Sequence, residues 1–342
     1  MHKAMRLPAP LILALAFALA VPAALSDSGL ASGSTGAHRT HPRAHSAAAS
    51  FMTGLGDEQP EMFNDPLWQQ LHTRIARYIA PYDAVAHPDS LRKATAWITA
   101  AEEGHVKILV AFYHSQRTPT VLPSYALYKH DVQKFVKRFP NVRQYQSWDE
   151  ANRGNVPGLF SSPSPKAAAQ YYQALIRVCK GCTAVGLDIL DQEKIGRTLN
   201  YIKEFKSSVG HLRTVMPSIW GLHDYSDVNR HESWRTRQLS RAMGGQIWLT
   251  ETGGIVKFGG AFPFSGGFGL TRAASVIKYT FGLAASQSSR IKRVYIYNWT
   301  GGNSASRFDA GLTDNHHHPR AGYVVVCRHL NAQKCGLHVS HH

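Results

Sequence analysis

The sequence predicts an α/β protein in which eight strands close a (β/α)8 TIM barrel. Short runs of β-branched and aromatic residues alternate with longer helical stretches, and there are eight such runs. The 280 residues from 51 to 330 give 35 residues per strand–helix unit, the size of one βα repeat. An open doubly wound sheet is the competing fold. It usually needs a glycine-rich loop after its first strand, and "TGLGDEQP" (53–60) matches such a loop poorly.

The predicted elements follow one another along the chain with little irregular sequence between them. The predicted strands lie at 51–56, 76–82, 106–114, 142–148, 183–190, 218–225, 246–252 and 293–299. The predicted helices lie at 89–104, 129–139, 164–179, 195–209, 233–244, 270–288 and 319–330. Typical start and stop residues support the boundaries. Asp89 is a capping residue and Gly104 a stop, while Ser164 caps a helix that has Pro165 in its first turn.

The N-terminus has the layout of a secretory signal peptide. Basic residues precede an apolar run at 11–24 and a small-residue cleavage site, so we interpret 1–26 as the signal. A membrane anchor is the alternative, although the run is short for a bilayer span. Residues 27–50 are rich in Ser, Ala, Gly and His and predict a flexible linker. The barrel then occupies 51–330 as a single domain, and 331–342 form a C-terminal tail.

The formal net charge of +16 favours an anionic environment such as an acidic polysaccharide, cell wall or lipid headgroups. The basic residues are scattered along the chain, so we expect no nucleic-acid partner. The cysteine count is four, which in a secreted chain suggests two disulfides. The simplest pairings are Cys179 with Cys182 and Cys327 with Cys335. A redox pair or half of a zinc site is the alternative for the first two.

Polar side chains cluster at the carboxyl ends of the predicted strands, where α/β barrels carry their active sites. From the second strand onward they are Arg77, Tyr82, Asp83, His114, Ser115, Asp149, Glu150, Asn152, Asp188, Asp191, His223, Asp224, Tyr225, Glu251, Asn298 and Trp299. Glu150 follows the fourth strand and Glu251 ends the seventh, so the two can face each other across the mouth. Glycoside hydrolysis needs such a pair: one acid protonates the leaving oxygen, and the other attacks the anomeric carbon.

Five motifs in order resemble the retaining glycoside hydrolases of clan A. "SWDEAN" (147–152) is similar to their Trp-Asn-Glu-Pro-Asn motif on strand four, and "WLTETGG" (248–254) to their nucleophile segment on strand seven. "LHDYSD" (222–227) is similar to the His-x-Tyr of strand six, and "VYIYNW" (294–299) to the strand-eight tryptophan. The stretch "FDAGLTDNHHHPRAGYVVV" (308–326) resembles the clan's closing turn and last helix. The resemblance covers nearly all of 51–330.

The resemblance implies specific roles for the strand-end residues. It makes Glu150 the acid/base and Glu251 the nucleophile, with Arg77 holding the nucleophile ionised by charge pairing. It makes Tyr225 a hydrogen-bond donor to Glu251. The remaining expected substrate-binding residues are His114, Asp149, Asn152, His223 and Trp299, the last as an apolar platform for the sugar ring. We expect no cofactor and no metal.

One departure from the clan's pattern concerns the residue before the acid/base. The clan usually has Asn there, which donates a hydrogen bond to the sugar 2-hydroxyl, whereas this chain has Asp149. An ionised Asp accepts hydrogen bonds but cannot donate them. Its charge would also repel a charged Glu150 and raise the pKa of Glu150, which suits an acid. Ala151 replaces the usual Pro.

The sequence therefore predicts a secreted or cell-envelope-associated retaining glycoside hydrolase. Its substrate would be an oligo- or polysaccharide, with acidic polymers among the candidates. We expect a monomer with no stable membrane insertion after signal cleavage. One alternative is a carbohydrate-binding barrel that has lost activity, with Asp149 as the cause. A second is a cell-envelope adhesion or structural protein that binds anionic wall polymer through its positive charge.

Overall fold

The computed structural model describes residues 51–192, 194–259, 267–330 and Cys335. The strands are β1 (Met52–Gly56), β2 (Ile75–Pro81), β3 (Lys107–Tyr113), β4 (Gln144–Gln146), β5 (Thr183–Val185), β6 (Asp188–Leu190), β7 (Ile219–His223), β8 (Gln246–Thr252), β9 (Lys257–Phe258), β10 (Ile291–Tyr297) and β11 (Phe308–Asp309). The helices are α1 (Pro66–Leu71), α2 (Pro88–Glu103), α3 (Tyr125–Arg138), α4 (Pro165–Val178), α5 (Ile195–His211), α6 (Tyr225–Val228), α7 (Trp234–Met243), α8 (Gly267–Ser286) and α9 (Ala321–Leu330).

Nine parallel segments form the barrel, in the order β5-β4-β3-β2-β1-β10-β8-β7-β6. The first and last of these, β5 and β6, are the two halves of the predicted strand 183–190. At Gly186 and Leu187, between these two halves, the strand changes its neighbour in the sheet from β4 to β7. The Gly186 amide donates to the Ile219 carbonyl at 3.0 Å, and the Gly221 amide donates to the Leu187 carbonyl at 2.8 Å. The ring of strands therefore closes, and the predicted (β/α)8 barrel is confirmed.

The strand alternation divides the core into two layers. Inside the barrel, Ile75, Leu109, Val185, Trp248 and Tyr295 form their own apolar cluster. The opposite faces of the strands pack against the helices in a much larger cluster. Because side chains two residues apart point to the same side of a strand, the residues that follow the inner cluster along each strand also point inward. The inside of the barrel thus becomes polar toward the carboxyl ends of the strands.

Several short elements were not predicted. A 3-10 helix (Pro60–Asn64) and α1 follow β1, and α6 follows β7. The strands β9 and β11 form an antiparallel pair of two residues each. One predicted cap is wrong: α2 begins at Pro88 with His87 at its N-cap, so Asp89 lies in the first turn. The Ser164 cap is confirmed, since its hydroxyl accepts from the Ala167 amide at 3.2 Å.

Both expected disulfides are present, Cys179–Cys182 after α4 and Cys327–Cys335 at α9. The structure thus favours two structural bridges over a redox pair or a zinc site. The predicted signal (1–26) and linker (27–50) lie outside the described residues, as does most of the predicted tail. Among the residues that the structure describes, no helix has the length and apolar character needed to cross a membrane.

Candidate active site

A β-bulge in β8 aims the candidate nucleophile into the barrel. Val294 and Ile296 of β10, two residues apart, pair with Leu249 and Thr252 of β8, three residues apart. The pairing with β7 on the other side shows the same extra residue. A bulge of this kind re-aims side chains next to active sites. Without the bulge, Glu251 would point outward, because it lies three residues after Trp248, whose side chain points into the barrel. The extra residue of the bulge lets the Glu251 side chain point into the mouth.

Arg77 of β2 is the central cation of the site, and its side chain is 1% exposed. It points inward because it lies two residues after Ile75. Its Nη1 donates to Glu251 Oε2 at 2.8 Å. Its Nη2 donates to Asp149 and lies 3.7 Å from Asp188 Oδ2. One guanidinium is therefore shared by three carboxylates, and the predicted contact between Arg77 and the nucleophile candidate is present.

His223 of β7 connects the two glutamates. Its Nδ1 lies 3.2 Å from Glu150 Oε1 and 3.9 Å from Glu251 Oε2. Two oxygens at these distances from one nitrogen are at most about 7 Å apart, within the spacing that glycosidase carboxylates use. The two glutamates, remote in sequence, thus face one another across a single imidazole ring.

Asp188 of β6 forms the floor beneath this ring and is fully buried. It accepts hydrogen bonds from the Gln146 amide and the Thr250 hydroxyl, and its Oδ2 lies 2.9 Å from His223 Nε2. Burial alone would raise the pKa of Asp188, but the contact with His223 lowers it below its usual value. Burial acts to lower the pKa of His223. The charges of Asp188 and Glu251 outweigh burial and raise that pKa well above its usual value. His223 is therefore held as a cation between carboxylates.

The two adjacent acids after β4 differ in protonation. Burial raises the pKa of Asp149 to about 8, against the effect of Arg77. Burial would also raise the pKa of Glu150, but Arg153 and His223 outweigh it and lower that pKa below its usual value. The expectation that Asp149 raises the pKa of Glu150 is therefore wrong in its net direction. The reason is that Arg153 Nη1 lies 3.1 Å from Glu150 Oε2, a contact that the sequence did not suggest.

Both glutamates are covered in this structure, with Glu150 2% and Glu251 4% exposed. On the Glu251 side, Tyr225, Ile255 and Phe258 pack together with Phe308. The Tyr225 hydroxyl donates to Glu251 Oε1 at 3.2 Å, as the resemblance implies. Through Tyr225, this apolar group contacts the nucleophile candidate directly.

The other predicted site residues lie farther out. Asn152 bridges the end of β4 to β6, donating to the Leu190 carbonyl at 2.9 Å and accepting from the Leu190 amide at 2.8 Å. His114 is half-buried and stacks on Phe160, with ring centroids 5.8 Å apart. Trp299 is not part of the group, because its ring is fully buried in the core between Trp68 and Tyr323.

The structure adds further polar groups to the site. Glu58 follows β1 and accepts from the Tyr297 hydroxyl at 3.0 Å. Burial, with the charges of Asp57 and Glu251, raises the pKa of Glu58 to about 8. The pair Asp57–Glu58 directly follows a predicted strand, so the strand-end rule could have found it. The same rule could have found Tyr113, which is the last residue of β3. Arg153 carried no such signal, since a loop arginine is common anywhere.

One group of described residues has the composition of a metal site. Asp149, His223 and Glu251 each offer an atom within 4.8 Å of the others. An imidazole with carboxylates suits a divalent cation. However, the Arg77 guanidinium already donates to both carboxylates, so it occupies the cationic position in this group. We therefore carry no metal into the proposed function.

The sequence matches no known family profile and no curated protein. The fold is similar to that of many solved glycoside hydrolases. A psychrophilic glycoside hydrolase family 10 endo-beta-1,4-xylanase has a TM-score of 0.61 at 15% identity, covering 81% of this chain and 96% of the xylanase. Xylanase XynB from Paenibacillus barcinonensis also has a TM-score of 0.61, at 11% identity, covering 84% of this chain and 99% of its own.

A family 39 glycoside hydrolase from the gut symbiont Bacteroides cellulosilyticus WH2 has a TM-score of 0.54 at 14% identity, covering 81% of this chain and 63% of the hydrolase. Its barrel and those of the xylanases share the architecture described above. At these identities the likeness concerns the fold. It confirms, at the level of fold, the resemblance to the clan A glycoside hydrolases that the five motifs indicate.

Proposed function

We propose that the protein is a retaining glycoside hydrolase that cleaves O-glycosidic bonds of an oligo- or polysaccharide by double displacement. One observation carries the proposal: Glu150 and Glu251 meet at the same His223 nitrogen, at the carboxyl ends of two strands on opposite sides of the barrel. A separation of at most about 7 Å admits the roughly 5–5.5 Å that retaining hydrolysis needs between its two carboxyl groups, and the resemblance of the motifs to retaining enzymes supports that choice over inversion.

In the first step, Glu251 would attack the anomeric carbon while Glu150 protonates the departing oxygen. Arg77 and the Tyr225 hydroxyl each hold one oxygen of Glu251, which fixes the orientation of the nucleophile. In the second step, Glu150 takes a proton from a water molecule, and that water releases the sugar from Glu251. Glu150 thereby regains its proton, and the anomeric configuration is retained.

Matched variants test these roles. Glu251→Ala should abolish hydrolysis of every substrate, and added azide should restore turnover as a glycosyl azide of inverted configuration. Glu150→Ala should slow unactivated glycosides by about 10²–10⁴-fold and activated aryl glycosides much less. Glu103→Ala, an exposed residue of α2, is the control for loss of a carboxylate. Equal slowing of both substrate classes by Glu150→Ala would refute its role as the acid.

The stereochemical outcome is tested separately. The anomer formed first is read by proton NMR before mutarotation, and retention is the expected result. An inverted first product would refute the double displacement and leave hydrolysis intact. The substrate panel should begin with xylans, because the solved structures of similar fold include xylanases. It should compare neutral with acidic glycans, because the formal charge of +16 favours an acidic polymer.

We also propose that the protein acts outside the cell or at the cell envelope. The signal-like N-terminus, the two disulfides and the formal charge of +16 support this location. A second candidate function is a carbohydrate-binding barrel without turnover. The near-complete burial of both glutamates, together with the ion pair that Glu150 forms, favours that candidate. Binding of a glycan without any product over the whole panel would select it.

A further inference from the structure

Arg153 forms an unusual buried contact with the acid/base candidate. Its side chain is 3% exposed although it lies on the loop after β4. Its Nη1 lies 3.1 Å from Glu150 Oε2 and donates to the Tyr113 hydroxyl at 3.1 Å. The Glu150 contact is an ion pair without hydrogen-bond alignment, because Oε2 is buried and has no hydrogen-bond partner in the described part of the chain. Arg153 therefore attracts Glu150 mainly by charge.

The loop is built so that Arg153 stays in place. The Arg153 amide donates to the Glu150 carbonyl at 3.0 Å, which closes a turn around Glu150, whose φ of 44° is left-handed. The guanidinium lies 4.3 Å from the centroid of the Phe160 ring, which in turn stacks on His114. Cation–π contacts of this kind are stronger when they are desolvated. Arg153 is thus packed from both sides rather than extended into solvent.

An acid that is ion-paired resists protonation. A general acid must hold a proton before the leaving oxygen can take it, whereas the contact with Arg153 favours the ionised carboxylate. The groups that face Glu150 from the surrounding elements are Tyr113 of β3, Asp149 next to it, Asp188 of β6, His223 of β7 and Tyr225 of α6. Two cations contact Glu150. Within the described part of the chain, Arg153 contacts no carboxylate besides Glu150, whereas His223 also contacts Asp188.

We propose that Arg153 is a positioning residue for the acid/base: it holds Glu150 through Nη1, and Glu150 becomes an acid when this ion pair loosens. The inference rests on the proposed function and deepens it. Two of the guanidinium nitrogens, Nε and Nη2, are buried without a hydrogen-bond partner among the described residues. A sugar hydroxyl that reaches these donors when the loop after β4 shifts would satisfy them and compete with Glu150 for Arg153.

The pH profile of kcat/KM tests the proposal, since its alkaline limb reports the acid of the free enzyme. In Arg153→Gln the limb should move to higher pH by about 1–3 units, because the cation beside the carboxyl is gone. Arg153→Lys keeps the charge and should restore most of the wild-type profile. Arg117→Gln removes an exposed arginine and is the control. An unchanged limb in an active Arg153→Gln enzyme would overturn the proposal.

A second measurement does not depend on turnover. The side-chain carboxyl carbon of Glu150, in protein labelled at glutamate, is identified as the NMR signal that Glu150→Gln lacks. Its titration midpoint should rise in Arg153→Gln and change little in Arg117→Gln. An unchanged midpoint would overturn the inference whether or not the enzyme is active. Absence of hydrolysis with a raised midpoint would refute the proposed function and leave the role of Arg153 standing.

Discussion

Replacing Asp149 by Asn tests whether this acid is neutral in the folded protein. Burial raises the pKa of Asp149 from its ordinary value of 3.8 to about 8. Arg77 opposes the shift, but it is shared with Asp188 and Glu251. Between pH 4 and 8 the folded state then keeps a proton that the unfolded state has released. Stability from this group is complete below pH 4 and is lost as the pH rises to 8.

The size of the stability change follows from the one proton that Asp149 keeps in the folded protein and releases in the unfolded protein. Each pH unit in this window removes about 1.4 kcal/mol from the free energy of unfolding of the wild type. Asn has the same shape and does not titrate. The free energy of unfolding of Asp149→Asn should therefore gain about 3 kcal/mol relative to wild type between pH 5 and pH 7. The side chain is almost completely buried, so solvent screening reduces the effect little.

Urea unfolding of both proteins at half-unit steps from pH 4.5 to 8 measures this difference. Asp89→Asn, which removes an exposed carboxylate, is the control for the change in net charge. A difference that stays constant with pH would mean that the pKa of Asp149 lies at or below its ordinary value, as it would if the Arg77 charge outweighed burial. That result would refute the reasoning.

Three further changes test how the site is built. Gly221→Ala should lower activity and reduce the free energy of unfolding by about 1–3 kcal/mol, because the added Cβ would meet Asp188 Oδ1 at 2.0 Å. Gly282→Ala is the control, because the space around Gly282 is open, and it should change neither quantity. Urea unfolding measures both variants. Arg77→Met should lower the free energy of unfolding by about 3–5 kcal/mol, since it leaves buried carboxylates without their cation. A loss that persists in the Asp149→Asn, Glu251→Gln background would contradict that cause. Replacing Cys327 and Cys335 by Ser should cost about 2–3 kcal/mol, read from the same unfolding curves, and no change would show that the bridge does not constrain the unfolded chain.

The regular part of the fold could be predicted because it depends on local pattern. Each barrel strand is a short apolar run and each long helix an amphipathic stretch with recognisable ends, so each of the eight predicted strands and seven predicted helices has a counterpart in the structure. The elements that were missed are short. The α1 and 3-10 turns lie between Pro60 and Leu71, and β9 and β11 have two residues each. Such elements are fixed by tertiary contacts rather than by their own sequence.

The site was predicted only where a strand end marks it. Asp149, Glu150, His223, Tyr225 and Glu251 follow predicted strands or lie near their ends, and the structure brings them together. Arg77 lies near the start of its predicted strand, and its side chain points inward and contacts Asp149 and Glu251. Trp299 also follows a strand, but it points into the helix layer. Strand-end position gives the height of a residue in the barrel and not the direction of its side chain. The direction depends on whether the residue falls on the inner or the outer face of the alternating strand. In β8 it also depends on the bulge, and no local sequence pattern indicated that bulge.

The structure also explains how an acid can occupy the position where the clan has an amide. The pocket offers one guanidinium to three carboxylates, and Asp188 and Glu251 have further fixed partners in His223 and Tyr225. Among the described residues, Asp149 shares Arg77 with those two acids and lies farther from His223, at 3.8 Å, so burial outweighs these charges and favours a proton on this carboxyl. A neutral carboxyl has one O–H donor and one carbonyl acceptor, the same pattern that an Asn amide presents. Below about pH 8, a neutral Asp149 can therefore donate to a sugar hydroxyl as the clan's Asn does. Activity of the Asp149→Asn variant should persist above that pH, where the wild type loses this donor.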